Sequence, residues 1–134
     1  MPNKNINLVD QKIALEKVLF ERKDFVESFP KVDIKDKIEK VNISGQSINF
    51  EFHRAVKLIP SSIFAVEVVF SYSSIIDNES FKMLQEEKRE LKNADLINIV
   101  NNTNIPQTAS MVISNLTCIN SANPLVTPPM FIKE

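Results

Sequence analysis

The clearest hydrophobic pattern in the chain runs from Ile48 to Tyr72. Ile48, Phe50, Phe52, Val56 and Leu58 alternate with Asn49, Glu51, His53 and Lys57. Strict alternation puts the apolar side chains of a strand on one face. Phe64, Val66, Val68, Phe70 and Tyr72 repeat the pattern, with Ala65, Glu67, Val69 and Ser71 opposite. Between the two runs lies Ile59-Pro60-Ser61-Ser62. Proline fixes φ and has no N–H for a ladder, so the pattern predicts two antiparallel strands joined by a tight turn. A lone hairpin is marginal in water, so the remaining elements must cover its apolar face.

Upstream, Ile6, Leu8, Ile13, Leu15, Val18 and Phe20 alternate locally, but the phase slips between Leu15 and Val18. A long strand with one extra residue does this, because a bulge moves the following side chains to the other face. A helix over Val9 to Phe20 is the rival reading, since Ala14, Leu15, Glu16 and Lys17 are good helix formers; the alternation favours the strand. Lys31 to Ile43 is rich in β-branched residues. Val32, Ile34 and Ile38 keep one phase and Val41 and Ile43 the other, which predicts a strand interrupted near Asp36-Lys37. Ser44-Gly45-Gln46-Ser47 is the turn into the central hairpin.

Downstream the period lengthens. Asp77 or Asn78 can cap a helix, and Phe81, Leu84, Lys88 and Leu91 follow helical spacing to about Asn93. Ala94 to Val100 reads as a short helical turn. Pro106 suits a first helical turn. Ala109, Val112, Ile113 and Leu116 then mark one helix face to about Cys118. Pro124-Leu125-Val126-Thr127-Pro128-Pro129-Met130-Phe131 cannot be helical and must lie extended. The expected fold class is therefore α+β, four mostly antiparallel strands followed by helices.

Composition narrows the function. The 134 residues suit one domain spanning 1–134. Hydrophobic residues make up 43% and charged residues 25%, ordinary for a soluble protein with a core. A net charge of −1, with basic residues interleaved among acidic ones as in Lys35-Asp36-Lys37-Ile38-Glu39-Lys40, argues against a nucleic-acid surface. A single glycine, Gly45, leaves no material for a phosphate-cradling loop, so ATP or NAD dependence is not expected. One cysteine, Cys118, excludes an intramolecular disulfide and fits a reducing cytoplasm. No apolar run follows Lys4, so no standard secretory signal is expected, and no stretch approaches a membrane span.

Candidate chemistry is sparse. Cys118 and His53 offer a nucleophile and a base, but nothing in the sequence brings them together, and a structural thiol with a surface histidine is the plainer reading. One His and one Cys do not make a zinc site. Glu86, Glu87 and Glu90 read as a solvated helix face. No cofactor and no enzymatic activity are expected. Arg54 is the exception among the charges, because it lies in phase with Phe52 and Val56 on the face expected to be buried. It can pair with a carboxylate at a subunit interface or snorkel past the sheet edge, and snorkelling is the favoured expectation. Phe25 and Phe29, in a polar segment ending at Pro30, either anchor a loop or form an exposed apolar patch.

Four antiparallel strands, helices, and then Pro124-Leu125, Pro128 or Pro129, and Phe131 form an order that resembles the SecB family of protein-export chaperones. The helix Asn104 to Cys118, with its first-turn proline, is similar to the family helix before that loop. Phe64 to Ile76, with Val66-Glu67-Val68 and Phe70-Ser71-Tyr72-Ser73, looks like the family's fourth strand, and Val32 to Ile34 like its second. The resemblance implies a four-stranded antiparallel sheet with helices packed on one face, and ATP-independent binding of unfolded polypeptide, or of one dedicated partner, in apolar surface grooves. It also implies dimers that pair into tetramers through helix packing, with Met111, Val112, Asn115 and Leu116 as the expected oligomer contact. The expected client contacts are Phe20, Phe25, Phe29, Leu125, Met130 and Phe131, since aromatic and Met side chains suit promiscuous surfaces.

The sequence departs from the family in three ways. Family members continue into a second long helix where this sequence stops at Glu134. They are usually strongly acidic. Those that dock on the SecA motor carry acidic residues at the turn that is Pro60-Ser61-Ser62 here, so SecA docking is not expected. The alternatives are a structural or subunit-interaction protein, or a chaperone dedicated to a toxin–antitoxin pair.

Overall fold

The computed structural model describes residues 6–22, 31–59, 64–120 and 126–132. Four strands, β1 (Leu8–Arg22), β2 (Lys31–Ser44), β3 (Ser47–Ile59) and β4 (Phe64–Ile76), are followed by helices α1 (Asn78–Glu86), α2 (Asn93–Asn101) and α3 (Ile105–Asn120). The strands form one antiparallel sheet in the order β1-β4-β3-β2. The central hairpin is the one its alternation predicts, and β1 is a strand rather than a helix.

Register explains the broken phases. Leu15 faces Phe70 and Lys17 faces Val69, so Glu16 is the extra residue and Val18 returns to the face of Leu15. A second irregularity lies between Val9 and Lys12, where Asp10 takes φ +52°. In β2 the expected interruption at Asp36-Lys37 is absent: Asp36 pairs with Arg54 and Lys37 with His53 in an unbroken ladder. The irregularity falls instead between Glu39 and Asn42, where Lys40 takes φ +52°. That bulge accounts for the phase change from Ile38 to Val41. The β2–β3 turn needs its glycine, because Gly45 sits at φ +57°.

One face of the sheet carries the core. Ile48, Phe50, Phe52, Val56, Val66, Val68, Phe70, Tyr72 and Ile76 are buried there against Leu84, Leu96, Ile99, Val100, Ile105, Ala109 and Ile113. On α3, Ile105, Ala109 and Ile113 recur every four residues and form the inward stripe.

The helix expected to run to about Asn93 ends early, at Glu86, and the helical turn expected over Ala94 to Val100 is a separate nine-residue helix, α2. Asp77 caps α1, its carboxylate accepting the Ser80 N–H at 2.7 Å, and this bond holds the Asp77 carboxyl below its usual range. The helix then stops at a left-handed residue, Lys88 at φ +50°. The Arg89 N–H reaches back to the Leu84 carbonyl at 2.9 Å and the Lys88 N–H to Gln85 at 3.2 Å, the two bonds of a Schellman end. Helix α2 restarts where the Asp95 carboxylate accepts the Lys92 N–H at 2.8 Å and also holds the Arg89 guanidinium. Glycine is the usual occupant of the left-handed position, and a lysine there carries Cβ strain. Lys88→Gly is expected to stabilise the protein by about 1 kcal/mol, read as a higher urea midpoint with an unchanged slope; a lower midpoint would contradict this reading.

Candidate functional site, an extended segment held by a buried arginine

Arg54 is the largest of the fully buried side chains. Its position on β3 puts it on the core face, between Phe52 and Val56. A guanidinium there must be paired, because an isolated charge taken out of water is very costly. The register supplies the partner. Asp36 is directly across on β2 and shares its face. Arg54 Nε donates to Asp36 Oδ1 at 2.8 Å and Nη2 to Oδ2 at 2.8 Å, a two-pronged pair with both side chains 0% exposed. The expected snorkelling is therefore wrong. The arginine does not leave the core, because an in-phase aspartate meets it within the chain rather than at a subunit interface.

Three guanidinium N–H groups remain, and all three reach the segment 126–132. Nη1 donates to Thr127 Oγ1 at 3.0 Å and to the Pro128 carbonyl at 2.7 Å, and Nη2 donates to the Met130 carbonyl at 2.8 Å. All five donors of the fork are thereby satisfied. Asp36 Oδ2 also accepts the Ile132 N–H at 2.8 Å. From the helices, Asn101 Oδ1 accepts the Phe131 N–H at 2.7 Å, and Ser110 Oγ donates to the Thr127 carbonyl at 2.7 Å. Phe131 lays its ring against Phe52, centroids 5.9 Å apart, and the guanidinium lies 5.7 Å from the Phe52 ring centre. Thr127 is buried, whereas Val126 and Met130 are exposed.

The expected client contacts divide accordingly. Phe131 is half-buried on Phe52, and Met130 projects its side chain outward while its carbonyl is held. Phe20 is half-buried against the core at the end of β1, across from Val66. Phe25, Phe29 and Leu125 lie outside the described residues. Of the expected oligomer contacts on α3, Met111 and Asn115 are exposed, and Val112 and Leu116 are half-buried beside the core.

A second apolar feature has no counterpart in the sequence reading. Ile13, Leu15 and Val18 of β1 lie across from Tyr72, Phe70 and Val68, on the core face of the sheet. Their β4 neighbours are buried, yet they are 43%, 47% and 38% exposed. The helices cover β4 and leave β1 open. A cleft of about 590 Å³ also opens between α1 and the β2–β3 turn, lined in part by Ile43, Ile76, Phe81, Leu84 and Leu91.

The other face of the sheet is polar. At its centre His53 Nε2 lies 3.0 Å from Glu51 Oε1 and 3.7 Å from Glu39 Oε2, and Nδ1 lies 3.4 Å from Glu67 Oε1. The hydrogen bond from His53 holds the Glu51 carboxyl below its usual range, and the charge of Lys40 adds to this. Cys118 belongs to α3, which packs on the face of the sheet opposite to His53. Among the described residues, no group of three or more His, Cys, Asp or Glu is arranged to hold a metal ion, and no helix is long and apolar enough to cross a membrane.

No family model matches the chain, and no curated protein matches it in sequence. In structure it is similar to the Mycobacterium tuberculosis SecB-like chaperone Rv1957, solved in complex with a ChAD peptide from the Rv1956 HigA1 antitoxin. That likeness has a TM-score of 0.57 at 10% identity and covers 92% of this chain and 86% of the other. The fold is SecB-like. A protein of unknown function from Streptococcus agalactiae is also similar, with a TM-score of 0.48 at 10% identity over 93% of this chain and 98% of that one. At such identity the SecB-like likeness is one of fold, and residue roles rest on the contacts above.

Removing Asp36 strands a buried guanidinium. Asp36→Ala is expected to cost roughly 3–5 kcal/mol of folding stability, measured by urea unfolding. Replacing both partners together, as Asp36→Leu with Arg54→Met, is expected to cost less than Asp36→Ala alone; a loss under about 1 kcal/mol for Asp36→Ala would show the pair to be solvated.

Proposed function

We propose that this protein is an ATP-independent holdase that binds unfolded or extended polypeptide through apolar surface. The observation that carries this reading is the uncovered core face of β1. Ile13, Leu15 and Val18 prolong the buried Phe70–Tyr72 surface into solvent on a SecB-like fold. Apolar side chains left open on a rigid sheet provide non-directional attraction, which suits clients whose shared feature is exposed hydrophobic sequence. Phe20 on β1 and Phe131 on Phe52 of β3 pack on the same face of the sheet, and with the exposed Met130 they add aromatic and adaptable side chains to it. Phe25, Phe29 and Leu125 complete the client set in this reading. The protein acts in the cytoplasm as a homo-oligomer, a dimer or a dimer of dimers, with Met111 and Asn115 at the helix contact and Val112 and Leu116 behind them. It needs no cofactor, performs no catalysis and does not depend on SecA.

A dedicated partner is the second reading. It is favoured by the peptide-bound state of the Mycobacterium tuberculosis chaperone, whose partner segment comes from an antitoxin. A general holdase and a dedicated one differ in client range rather than in the surface used.

Dilution of a chemically unfolded protein into buffer, without ATP and with near-equal amounts of this protein, tests the proposal by light scattering. Suppression of aggregation is expected. Changing Ile13, Leu15 and Val18 together to serine is expected to raise the amount needed about tenfold, equivalent to roughly 1.4 kcal/mol of lost apolar burial, with the circular-dichroism spectrum unchanged. A folded wild-type sample that suppresses nothing would refute the general holdase and leave the dedicated partner, to be sought by pull-down from the native host.

A further inference from the structure

The groups that hold residues 126–132 act mainly on main chain. Arg54 donates to the carbonyls of Pro128 and Met130, and Ser110 to that of Thr127. Asn101 and Asp36 accept the N–H groups of Phe131 and Ile132. Any extended polypeptide can supply such groups. The side-chain contacts made by the segment are narrower: the Thr127 hydroxyl on Arg54 and the Phe131 ring on Phe52. A buried fork, two carboxamide or carboxylate acceptors and an aromatic wall, drawn from β2, β3, α2 and α3, therefore make a complete seat for a non-helical chain that bends at Pro129-Met130.

From these contacts we infer that this seat is a polypeptide-binding site, occupied in cis by residues 126–132. Its trans occupant is a non-helical segment of a client or partner protein that presents a hydroxyl residue, then proline, then an aromatic residue four positions after the hydroxyl, and can bend between them as residues 129 and 130 do. This inference rests on the polypeptide-binding reading above and assigns it a defined site. A segment tethered within the chain competes at an effective concentration on the order of millimolar. The intact protein therefore masks the seat, and a ligand gains apparent affinity in proportion to the fraction of molecules whose own segment is out. The cis segment acts as an autoinhibitory occupant, and a ligand that also binds the open β1 face can displace it.

The test uses full-length protein and a fluorescent peptide with the sequence of residues 126–132, followed by anisotropy. Phe131→Ala removes the ring contact in cis and leaves the seat intact. It is expected to bind the peptide about tenfold more tightly than the wild type. Adding Asn101→Ala, which removes an acceptor for the peptide's main chain, is expected to reverse most of that gain. Should Phe131→Ala fail to fold, Thr127→Val, which removes one hydroxyl contact, replaces it with the same expected direction. Equal peptide binding by wild type and a folded strap variant overturns the inference, as does a gain that accompanies a fall from dimer to monomer mass, which would mean exchange of the segment between copies. Aggregation suppression by the same proteins separates the two readings. Suppression without any gain in peptide binding leaves the holdase and removes this site. A gain in peptide binding without suppression leaves the site and removes the general holdase.

Discussion

Arg54 and Asp36 form the interaction on which the rest of this structure depends. A guanidinium in a fully buried position has five donors to satisfy, and an unmet charge there would cost about 3–5 kcal/mol, a large share of a domain's marginal stability. Asp36 meets two donors from the neighbouring strand. The other three require oxygen atoms from above the sheet, and the sheet itself offers none at that point. The segment 126–132 supplies them. Asn101 and Ser110 then tie the segment to α2 and α3, so one charge links both layers of the fold and the chain's last described residues.

The two faces of the sheet differ in chemistry. The outer face is a carboxylate-rich, histidine-centred surface without an apolar stripe across its middle. The inner face is apolar apart from the Arg54–Asp36 pair, but the helices do not cover all of it. Coverage fails at β1, where Ile13, Leu15 and Val18 stay open beside buried Phe70 and Tyr72. A sheet wider than its helix layer leaves apolar surface as a geometric consequence.

Much of this was legible in the sequence. Period-two alternation gave the central hairpin, and the slip between Leu15 and Val18 gave the bulge at Glu16. Prolines gave the non-helical character of residues 126–132, though the chain bends at Pro129-Met130 where an extended run was expected. The pair itself left a trace that reading one strand at a time did not use. Asp36 continues the phase of Val32, Ile34 and Ile38, just as Arg54 continues that of Phe52 and Val56. Opposite charges in the buried phase of adjacent hairpin strands predict a pair, whereas Asp36-Lys37 taken alone looks like a break. The stop of α1 at Lys88 was not legible, because a left-handed lysine lacks the signature a glycine would give. Nor was the exposure of β1, since strand pattern reports which face is apolar and tertiary packing decides whether it is covered.

Amide hydrogen exchange on the wild-type protein, resolved at Phe131 and Ile132 by NMR, tests the central claim most directly. These N–H groups are held by Asn101 and Asp36, the acceptors that fix the segment over Arg54. The account predicts protection at both amides comparable to that of Phe52 and Arg54 in the centre of β3. Exchange at the rate of an unstructured peptide, with β3 still protected, would contradict it: the fork would then have no lasting hold on the chain above it.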